Sequence, residues 1–191
     1  MKRILLSTVA VLCVAGLAFA QSDVGSIDIF SDGGYTDCNV TDAVGLVPVY
    51  VVHSHANDGA RASQWMLELG VGVTMASVGS SSPFPTAIGN PLTGISIAYG
   101  NCQTAANTLI MTVNFFGSGT SETCSLLSIV ADPAALSGMV EIVDCLEPPA
   151  GPNKITLEKG GQARVNPDLT CDCTVPVQET TWGGIKSLYG E

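Results

Sequence analysis

The sequence predicts an all-β protein, an immunoglobulin-like or related β-sandwich, from three observations. Short runs of apolar and polar residues alternate with the period of two that a β-strand requires. Stretches rich in glycine, serine and proline separate these runs, as turns do in a sandwich. Charged residues make up only 13% of the 191 residues, whereas 21 residues are glycine, a composition typical of β-proteins and not of helical enzymes. We expect about seven to ten short strands in one domain.

Period-two alternation marks six runs as strands. A seventh run, Ala60–Leu69, fits two patterns. Trp65, Leu67 and Leu69 alternate as in a strand. Ala62, Trp65 and Leu69 instead follow a helical spacing, and we predict the strand. The six clear runs are Ser26–Phe30, Val47–Val52, Ile95–Tyr99, Leu109–Phe116, Cys124–Val130 and Met139–Cys145.

Two further local structures are predicted in the C-terminal half. Asn153–Glu158 and Gln162–Val165 flank Lys159–Gly161, which predicts a β-hairpin closed by a glycine turn. Asp132–Leu136 is predicted to form a single helical turn. Loops are predicted at Gly33–Gly34, Asn57–Gly59, Gly79–Pro83 and Gly117–Gly119.

Residues 1–20 have the features of a secretory signal peptide. A basic start precedes an apolar run that ends in Ala18-Phe19-Ala20, small residues at positions −3 and −1 of a cleavage site. We therefore predict a signal peptide at 1–20, a sandwich domain at 21–173, and a linker with a short amphipathic tail at 174–191. We expect no membrane span after signal removal, because no later apolar run is long enough. The predicted location is secreted or extracellular, periplasmic, or at the cell surface.

The charge of the chain argues against two classes of partner. Two of the seven basic residues, Lys2 and Arg3, leave with the signal, so the remaining 171 residues carry five basic against 17 acidic residues, a formal charge of −12. Nucleic acid and anionic lipid head groups repel such a chain. We expect no nucleic-acid partner, and a partner that is extracellular or belongs to the cell envelope.

Six cysteines remain after the signal, and an even number in an exported protein indicates disulfides. Structural zinc is disfavoured because no C-x₂-C knuckle occurs. Residues i and i+2 of a strand share a face, so Cys171 and Cys173 can take different partners. The strand order around Leu109–Phe116 predicts a Cys102–Cys124 bond. The other two cysteines, Cys38 and Cys145, would then pair with Cys171 and Cys173 in an order that the sequence does not fix.

Five segments carry a resemblance to a known family. They are GYTDCNVTDAVGLVPVYVVH, ISIAYGNC, SETCSLLSIV, VEIVDC and VNPDLTCDCTVPVQETTWGGIKSLY. They resemble an uncharacterised family of small secreted bacterial β-sandwich proteins that end in a T-W-G-x-I/V-K-x-L-Y type tail. The resemblance implies secretion and a sandwich fold, and it implies no activity. At the level of the fold alone, the strand pattern also resembles cohesin-type and other adhesive sandwiches.

His53 and His55 are the sharpest candidates for binding a metal. Histidines at i and i+2 of a strand share a face and can both reach one zinc ion. A zinc site needs a third ligand, and no acid stands at a diagnostic spacing. The favoured interpretation is a strand end that runs into a turn.

A calcium site is the second metal candidate. Asp32 and Asp37 lie with Asp28 and Asp42 in an acidic stretch that contains two glycines. The pattern D-x-[DN]-x-[DN]-G is absent, so an EF-hand loop is not encoded. Solvated surface charge is the favoured interpretation, and no cofactor is expected.

The last residues form an apolar cluster. Trp182, Ile185, Leu188 and Tyr189 follow the spacing of one helical face. A helix of about eight residues forms only when its apolar face docks on another surface. That surface belongs either to the sandwich itself, which is favoured, or to another molecule that recognises the tail.

Together these features predict a non-catalytic secreted or cell-surface protein with a binding or structural role and an unidentified ligand. Nucleophilic catalysis has little support, since no G-x-S-x-G motif occurs. The alternative is a secreted hydrolase that uses either a metal at His53 and His55 or a pair of carboxylates.

Overall fold

Two β-sheets packed face to face form an all-β sandwich. The structure, a computed structural model, describes residues 24–54, 56, 58–148 and 151–173. The predicted signal peptide, His55 and the predicted tail at 174–191 lie outside these residues. Within the described chain we find no helix with the length and apolar character needed to cross a bilayer.

Twelve strands occur in the described chain. They are β1 (Ser26–Phe30), β2 (Asn39–Val40), β3 (Gly45–Ser54), β4 (Ala60–Leu69), β5 (Ala76–Ser81), β6 (Thr86–Asn90), β7 (Gly94–Gln103), β8 (Asn107–Gly117), β9 (Ser125–Val130), β10 (Val140–Asp144), β11 (Lys154–Leu157) and β12 (Gln162–Val165).

The two sheets differ in size. The smaller sheet has the strand order β1-β3-β8-β5 and is antiparallel throughout. The larger sheet has the order β11-β10-β4-β9-β12-β2, and β7 pairs with β4 and carries β6 at its outer edge. β4 is central, because it pairs with β7 and β10 along its first half and with β9 along Met66–Leu69.

One apolar core fills the space between the sheets. Alternate side chains of each long strand point into it, as the pleat requires. Burying each large side chain is worth roughly 1.5–3 kcal/mol, so the inward rows hold the two sheets together. The core includes Ile27 and Ile29 of β1, Val47, Val49 and Val51 of β3, Val113 and Phe115 of β8, Trp65 and Leu67 of β4, Ile95 and Ile97 of β7, and Leu127 and Ile129 of β9.

The predicted strands with clear alternation are confirmed, and the ambiguous run Ala60–Leu69 is a strand. Trp65 and Leu67 of β4 are fully buried on the inner side of the sheet, whereas Glu68, which points to the opposite side, is exposed. Neighbouring strands on both edges of β4 provide hydrogen-bond partners for its backbone N–H and C=O groups. The strand is therefore favoured, and the period-two pattern gives the correct prediction where the helical spacing does not. The helical turn predicted at Asp132–Leu136 is a turn in which the N–H of Ala135 donates to the carbonyl of Asp132 (2.8 Å).

The hairpin predicted between Asn153 and Val165 is wrong in its connection, although both of its strands exist. β11 pairs with β10, and β12 pairs with β9, so three strands separate them in the sheet order. The N–H groups of Gly160 and Gly161 donate to the carbonyls of Ile129 (3.0 Å) and Ile27 (2.7 Å). A Cβ on Gly160 would lie 2.6 Å from the Ile129 side chain. These glycines therefore allow a close crossing of the backbone and do not close a tight turn.

Three strands were not predicted. β2 has only two residues, and every residue of β5 and β6 is exposed. Part of β5 falls in the predicted Gly79–Pro83 loop. These strands bury no apolar row, so the alternation that identifies the others is missing from them.

All six cysteines of the described chain form disulfides. The bonds are Cys38–Cys173, Cys102–Cys145 and Cys124–Cys171. Cys171 and Cys173 take different partners, but the predicted Cys102–Cys124 bond is wrong. Ala60 of β4 explains the difference, because it pairs with Gln103 on one edge and with Asp144 on the other. The ends of β7 and β10 therefore flank the same residue, and their adjacent cysteines meet across it.

Gly59 makes room for this bond. It has a φ of +78°, and a Cβ at this position would lie 2.7 Å from the sulfur of Cys145 and closer still to that of Cys102. Only glycine combines this backbone conformation with the space that the two sulfurs need. Gly59, which the sequence predicts to lie in a turn, thus also provides the space for the Cys102–Cys145 disulfide.

We predict that removing the Cys38–Cys173 bond destabilises the fold. The double variant Cys38→Ala/Cys173→Ala loses a cross-link between residues 135 positions apart, and we expect the free energy of unfolding to fall by about 2–4 kcal/mol. Urea unfolding measures this. Peptide mapping without reduction is the control for the pairing, and a peptide that joins Cys102 to Cys124 would contradict the structure.

Candidate protein-binding face

His53 is a buried, hydrogen-bonded histidine. Its Nε2 lies 2.5 Å from the carbonyl oxygen of Val24, and its Nδ1 lies 2.9 Å from the hydroxyl of Tyr99. A carbonyl only accepts, so Nε2 carries the proton and Nδ1 accepts from Tyr99. Burial lowers the pKa of His53, against the raising effects of the Val24 carbonyl and the Asp28 charge. A metal would have to displace one of these bonds, and the other predicted ligand, His55, lies outside the described residues.

Asp32 and Asp37 are engaged by the backbone of their own loop. The carboxylate of Asp32 accepts from the N–H groups of Gly34 (3.0 Å), Thr36 (2.9 Å) and Asp37 (2.8 Å). Desolvation raises the pKa of Asp32, but these hydrogen bonds outweigh it and lower the pKa. The carboxylate of Asp37 accepts from the N–H of Asn39 (2.8 Å). The two acids thus shape the connection between β1 and β2.

Metal-ligating atoms cluster at only one place among the residues that the structure describes. This cluster consists of Cys124, Asp168 and Cys171. The two sulfurs are joined in a disulfide, so neither is the thiolate that a metal binds. The Asp168 carboxylate accepts from both the N–H (2.8 Å) and the hydroxyl (2.6 Å) of Thr170. The cluster is therefore the Cys124–Cys171 disulfide beside a turn in which Asp168 accepts hydrogen bonds from Thr170.

The buried carboxylates are paired with hydrogen-bond donors. Glu141 accepts from the Ser137 hydroxyl (2.7 Å) and from the Lys154 ammonium (2.7 Å). Asp144 accepts from the backbone (2.8 Å) and side-chain (3.1 Å) amides of Asn153. Desolvation raises the pKa of Glu141, but its donors outweigh it and lower the pKa. Through these contacts Glu141 joins β10 to Lys154 of β11.

The outer side of the smaller sheet is a surface that core packing does not explain. Strands β3, β5 and β8 contain no Asp, Glu, Lys or Arg, in a chain with a formal net charge of −10. The outer side of an antiparallel sheet is ordinarily polar. We call the outward residues of the two central strands the uncharged face: Leu46, Pro48 and Tyr50 of β3, and Thr112, Asn114 and Phe116 of β8.

Two large apolar side chains stand exposed at one end of the uncharged face. Leu46 is 66% exposed and Phe116 is 52% exposed, and the two residues are direct cross-strand partners. Ala76 of β5 extends the row beyond Phe116. Adjacent exposed apolar groups of this size indicate a surface that another molecule covers.

Aromatic rings occupy the other end of the uncharged face. The ring centroid of Tyr35 lies 6.3 Å from that of Tyr50 and 6.0 Å from that of Phe30. Tyr35 belongs to the loop after β1, so the aromatic cluster joins this loop to the sheet. Tyrosines offer a large apolar surface with a polar hydroxyl, which makes them frequent anchors of protein interfaces.

Asp42 fixes the loop that borders the Leu46–Phe116 end. Its carboxylate accepts from the N–H groups of Gly119 (3.1 Å), Thr120 (3.1 Å) and Ser121 (2.8 Å). Burial raises the pKa of Asp42, but these hydrogen bonds outweigh it and lower the pKa. Because this loop follows β8 directly, Asp42 holds the end of β8 beside the start of β3.

Acidic residues border the uncharged face on the β1 side. Asp32 and Asp37 line a shallow recess together with Leu46 and Pro48. The surface therefore combines an apolar centre with a negative rim. Such an arrangement suits a partner with an apolar patch and basic residues around it.

The sequence predicted β3 and β8 as strands but did not single out their outward residues. The absence of charge would not have identified this face by itself, because β2, β6, β7 and β9 also lack charged residues.

No known protein-family profile matches the chain, and no curated protein sequence matches it. Its fold is similar to solved structures of cohesins. One is the sixth cohesin of scaffoldin B from Acetivibrio cellulolyticus, in complex with a Cel5 dockerin mutant, at 10% identity and a TM-score of 0.46 over 75% of this chain and 98% of that one. Another is the third ScaB cohesin of R. flavefaciens with a group 1 dockerin, at 12% identity and a TM-score of 0.45 over 76% and 96% of the two chains.

A third is the seventh ScaB type I cohesin of Pseudobacteroides cellulosolvens, at 14% identity and a TM-score of 0.41 over 74% and 96% of the two chains. These similarities leave the ligand of this chain to be deduced from its own residues.

We predict that Asp42→Asn destabilises the fold by about 1.5–3 kcal/mol at pH 7, because an amide oxygen replaces the carboxylate that accepts three N–H groups. The pKa of Asp42 is lowered from 3.8 in the folded state. The carboxylate therefore stabilises the fold above the unfolded pKa, and this contribution is lost as the pH falls through the folded pKa.

Urea unfolding between pH 7 and pH 2 measures the effect, and the gap between wild type and variant should shrink below pH 3.8. The exposed Glu68→Gln on β4 is the control and should unfold like the wild type. A gap that stays constant with pH contradicts the role given to Asp42.

Proposed function

We propose that the protein is a secreted or cell-surface, non-catalytic module that binds another protein through the uncharged face. The observation that supports this best is the exposed Leu46–Phe116 pair on strands that carry no charge. Interface centres are depleted in charged residues and enriched in aromatic ones. The sandwich, of immunoglobulin-like or cohesin-like type in this proposal, presents the face on a rigid sheet.

The shape and chemistry of the uncharged face favour a protein as the ligand. Small molecules bind in concave pockets that cover most of their surface. Here Leu46 and Phe116 project from the sheet, so the complementary surface must supply the recess. The acidic chain also repels nucleic acid and anionic lipid.

The charge of the chain favours a partner of different sequence over a second copy. Two copies with a formal net charge of −10 each repel one another at long range. The negative rim at Asp32 and Asp37 attracts a surface that carries lysine or arginine. We therefore expect a partner with an apolar patch bordered by basic residues, and an association rate that falls as salt is added.

We predict that Phe116 contacts this partner directly. A photoreactive phenylalanine analogue at position 116 should cross-link one protein from the extracellular or envelope fraction of the native source. The captured protein is then purified, and its affinity is measured for the wild type, Leu46→Lys and Phe116→Lys. A lysine at either position places a charge in a dry contact, so we expect at least about tenfold weaker binding, or 1.4 kcal/mol.

Leu136→Lys provides a matched control. Leu136 is fully exposed on the connection between β9 and β10 and lies outside the uncharged face. The proposal requires this variant to bind like the wild type. Loss of affinity in Leu136→Lys, with normal affinity in both face variants, contradicts it.

A further inference from the structure

A recess with charged walls lies where the edge strand β1 of the smaller sheet approaches β12 of the larger sheet. Its lining includes the bare backbone of Gly160 and Gly161, which reaches β1 where the N–H of Gly161 donates to the carbonyl of Ile27 (2.7 Å). The recess has a volume of about 470 Å³, within the range of about 300–1,000 Å³ that small-molecule sites occupy. We call it the seam recess, and the charged residues that line it are Asp28, Lys159, Arg164 and Asp172.

The seam recess contains the two cations that no acid pairs with in the described chain. Four lysines and arginines lie in this part of the chain. Two of them form ion pairs with glutamates: Arg61–Glu147 and Lys154–Glu141. The other two, Lys159 and Arg164, form no ion pair with any described residue, and both line the seam recess. An arginine and a lysine at one cavity can together bind an anionic group.

The backbone of β12 fixes Arg164 at the wall of the recess. Its N–H donates to the carbonyl of Cys38 (3.0 Å), and the residue pairs with Asn39 of β2. Ala163 and Val165 on either side are buried in the core, so the side chain of Arg164 points away from the core. A carboxylate can accept two parallel hydrogen bonds from such a guanidinium, a geometry that a planar ligand group matches.

The two acids of the seam recess already accept one hydrogen bond each. Asp28, which is only 6% exposed, accepts from the hydroxyl of Ser26 (2.6 Å). Asp172 accepts from the side-chain amide of Asn39 (2.6 Å). Gly161 leaves room for the Asp28 carboxylate, because a Cβ there would collide with it. Carboxylates retain further acceptor positions, so the acids favour a ligand with donor groups and disfavour a multiply charged anion.

We propose that the seam recess binds a small carboxylate that also carries hydroxyl or ammonium groups, the chemistry that sugar acids and amino acids share. Arg164 and Lys159 hold the carboxylate, and Asp28 and Asp172 accept hydrogen bonds from the hydroxyl or ammonium groups. The seam recess shares no residue with the uncharged face. This small-molecule site is therefore separate from the proposed protein interface.

Titrations of the exported protein, followed by ¹H–¹⁵N NMR, test this proposal. The probes are D-glucuronate, L-alanine, D-glucose and inorganic phosphate at millimolar concentration. We expect D-glucuronate or L-alanine to shift the amide signals of Gly160, Gly161 and Gln162 in a saturable manner. Saturation by D-glucuronate alone supports hydroxyls as the donor groups of the ligand, and saturation by L-alanine alone supports an ammonium. D-Glucose lacks a carboxylate and phosphate is a different anion, so neither should shift these signals.

Arg164→Gln and Lys159→Gln each remove one cation and should weaken binding about tenfold or more. Lys154→Gln is the matched control, because it removes the same charge from a lysine that does not line the recess. It should bind like the wild type. Arg164→Gln should also unfold in urea like the wild type, since its guanidinium pairs with no described acid.

Three results overturn the proposal. The first is the absence of a saturable shift with either carboxylate, which leaves the proposed protein interface intact. The second is equal binding of phosphate or D-glucose, which contradicts the ligand chemistry. The third is equal weakening in Lys154→Gln and Arg164→Gln, which indicates attraction by net charge alone.

Discussion

The antiparallel pairing of β3 with β8 is the interaction on which the rest of the structure depends. Ten residue pairs join the two strands, from Gly45 with Gly117 to Ser54 with Asn107. Their inward rows form the core wall of the smaller sheet, and their outward rows form the uncharged face. A register shift between Val51 and Val52 leaves Ile110 as an extra residue. Beyond the shift β3 is buried on both of its sides, from Val52 to Ser54, and the exposed Leu46 and Phe116 lie at the other end of the strand pair.

The distribution of charge follows from this pairing. No acidic residue lies in β3, β5 or β8, so the acids closest to the uncharged face lie in the loops that border it. Asp32 and Asp42 use those positions to accept backbone N–H groups, which fixes the loops at two borders of the face. The carboxylates thus fix the loops beside the uncharged face, although they are not part of that face. Between these fixed borders, Leu46 and Phe116 stay exposed on the uncharged face.

The sequence predicted the elements better than it predicted their neighbours. Alternation identifies β3, β4 and β8 because each buries one complete row of side chains. It says nothing about which strands pair, so it predicts a hairpin at the Gly160–Gly161 crossing and a Cys102–Cys124 bond, and both predictions are wrong. Spacing alone also made His53 a metal candidate, whereas the fold turns both of its ring nitrogens to partners distant in sequence. Long-range pairing is what a single sequence without homologues does not encode in any local pattern.

Hydroxyl-radical footprinting tests the central claim, that the uncharged face is an interface, most directly. In the free protein Phe116 and Leu46 should be oxidised, and the buried neighbour Phe115 should not. In the complex with the captured partner, oxidation of Phe116 and Leu46 should fall, while the fully exposed Leu136 and Leu169 stay reactive. Unchanged oxidation of Phe116 and Leu46 on binding, with protection elsewhere, would contradict the account.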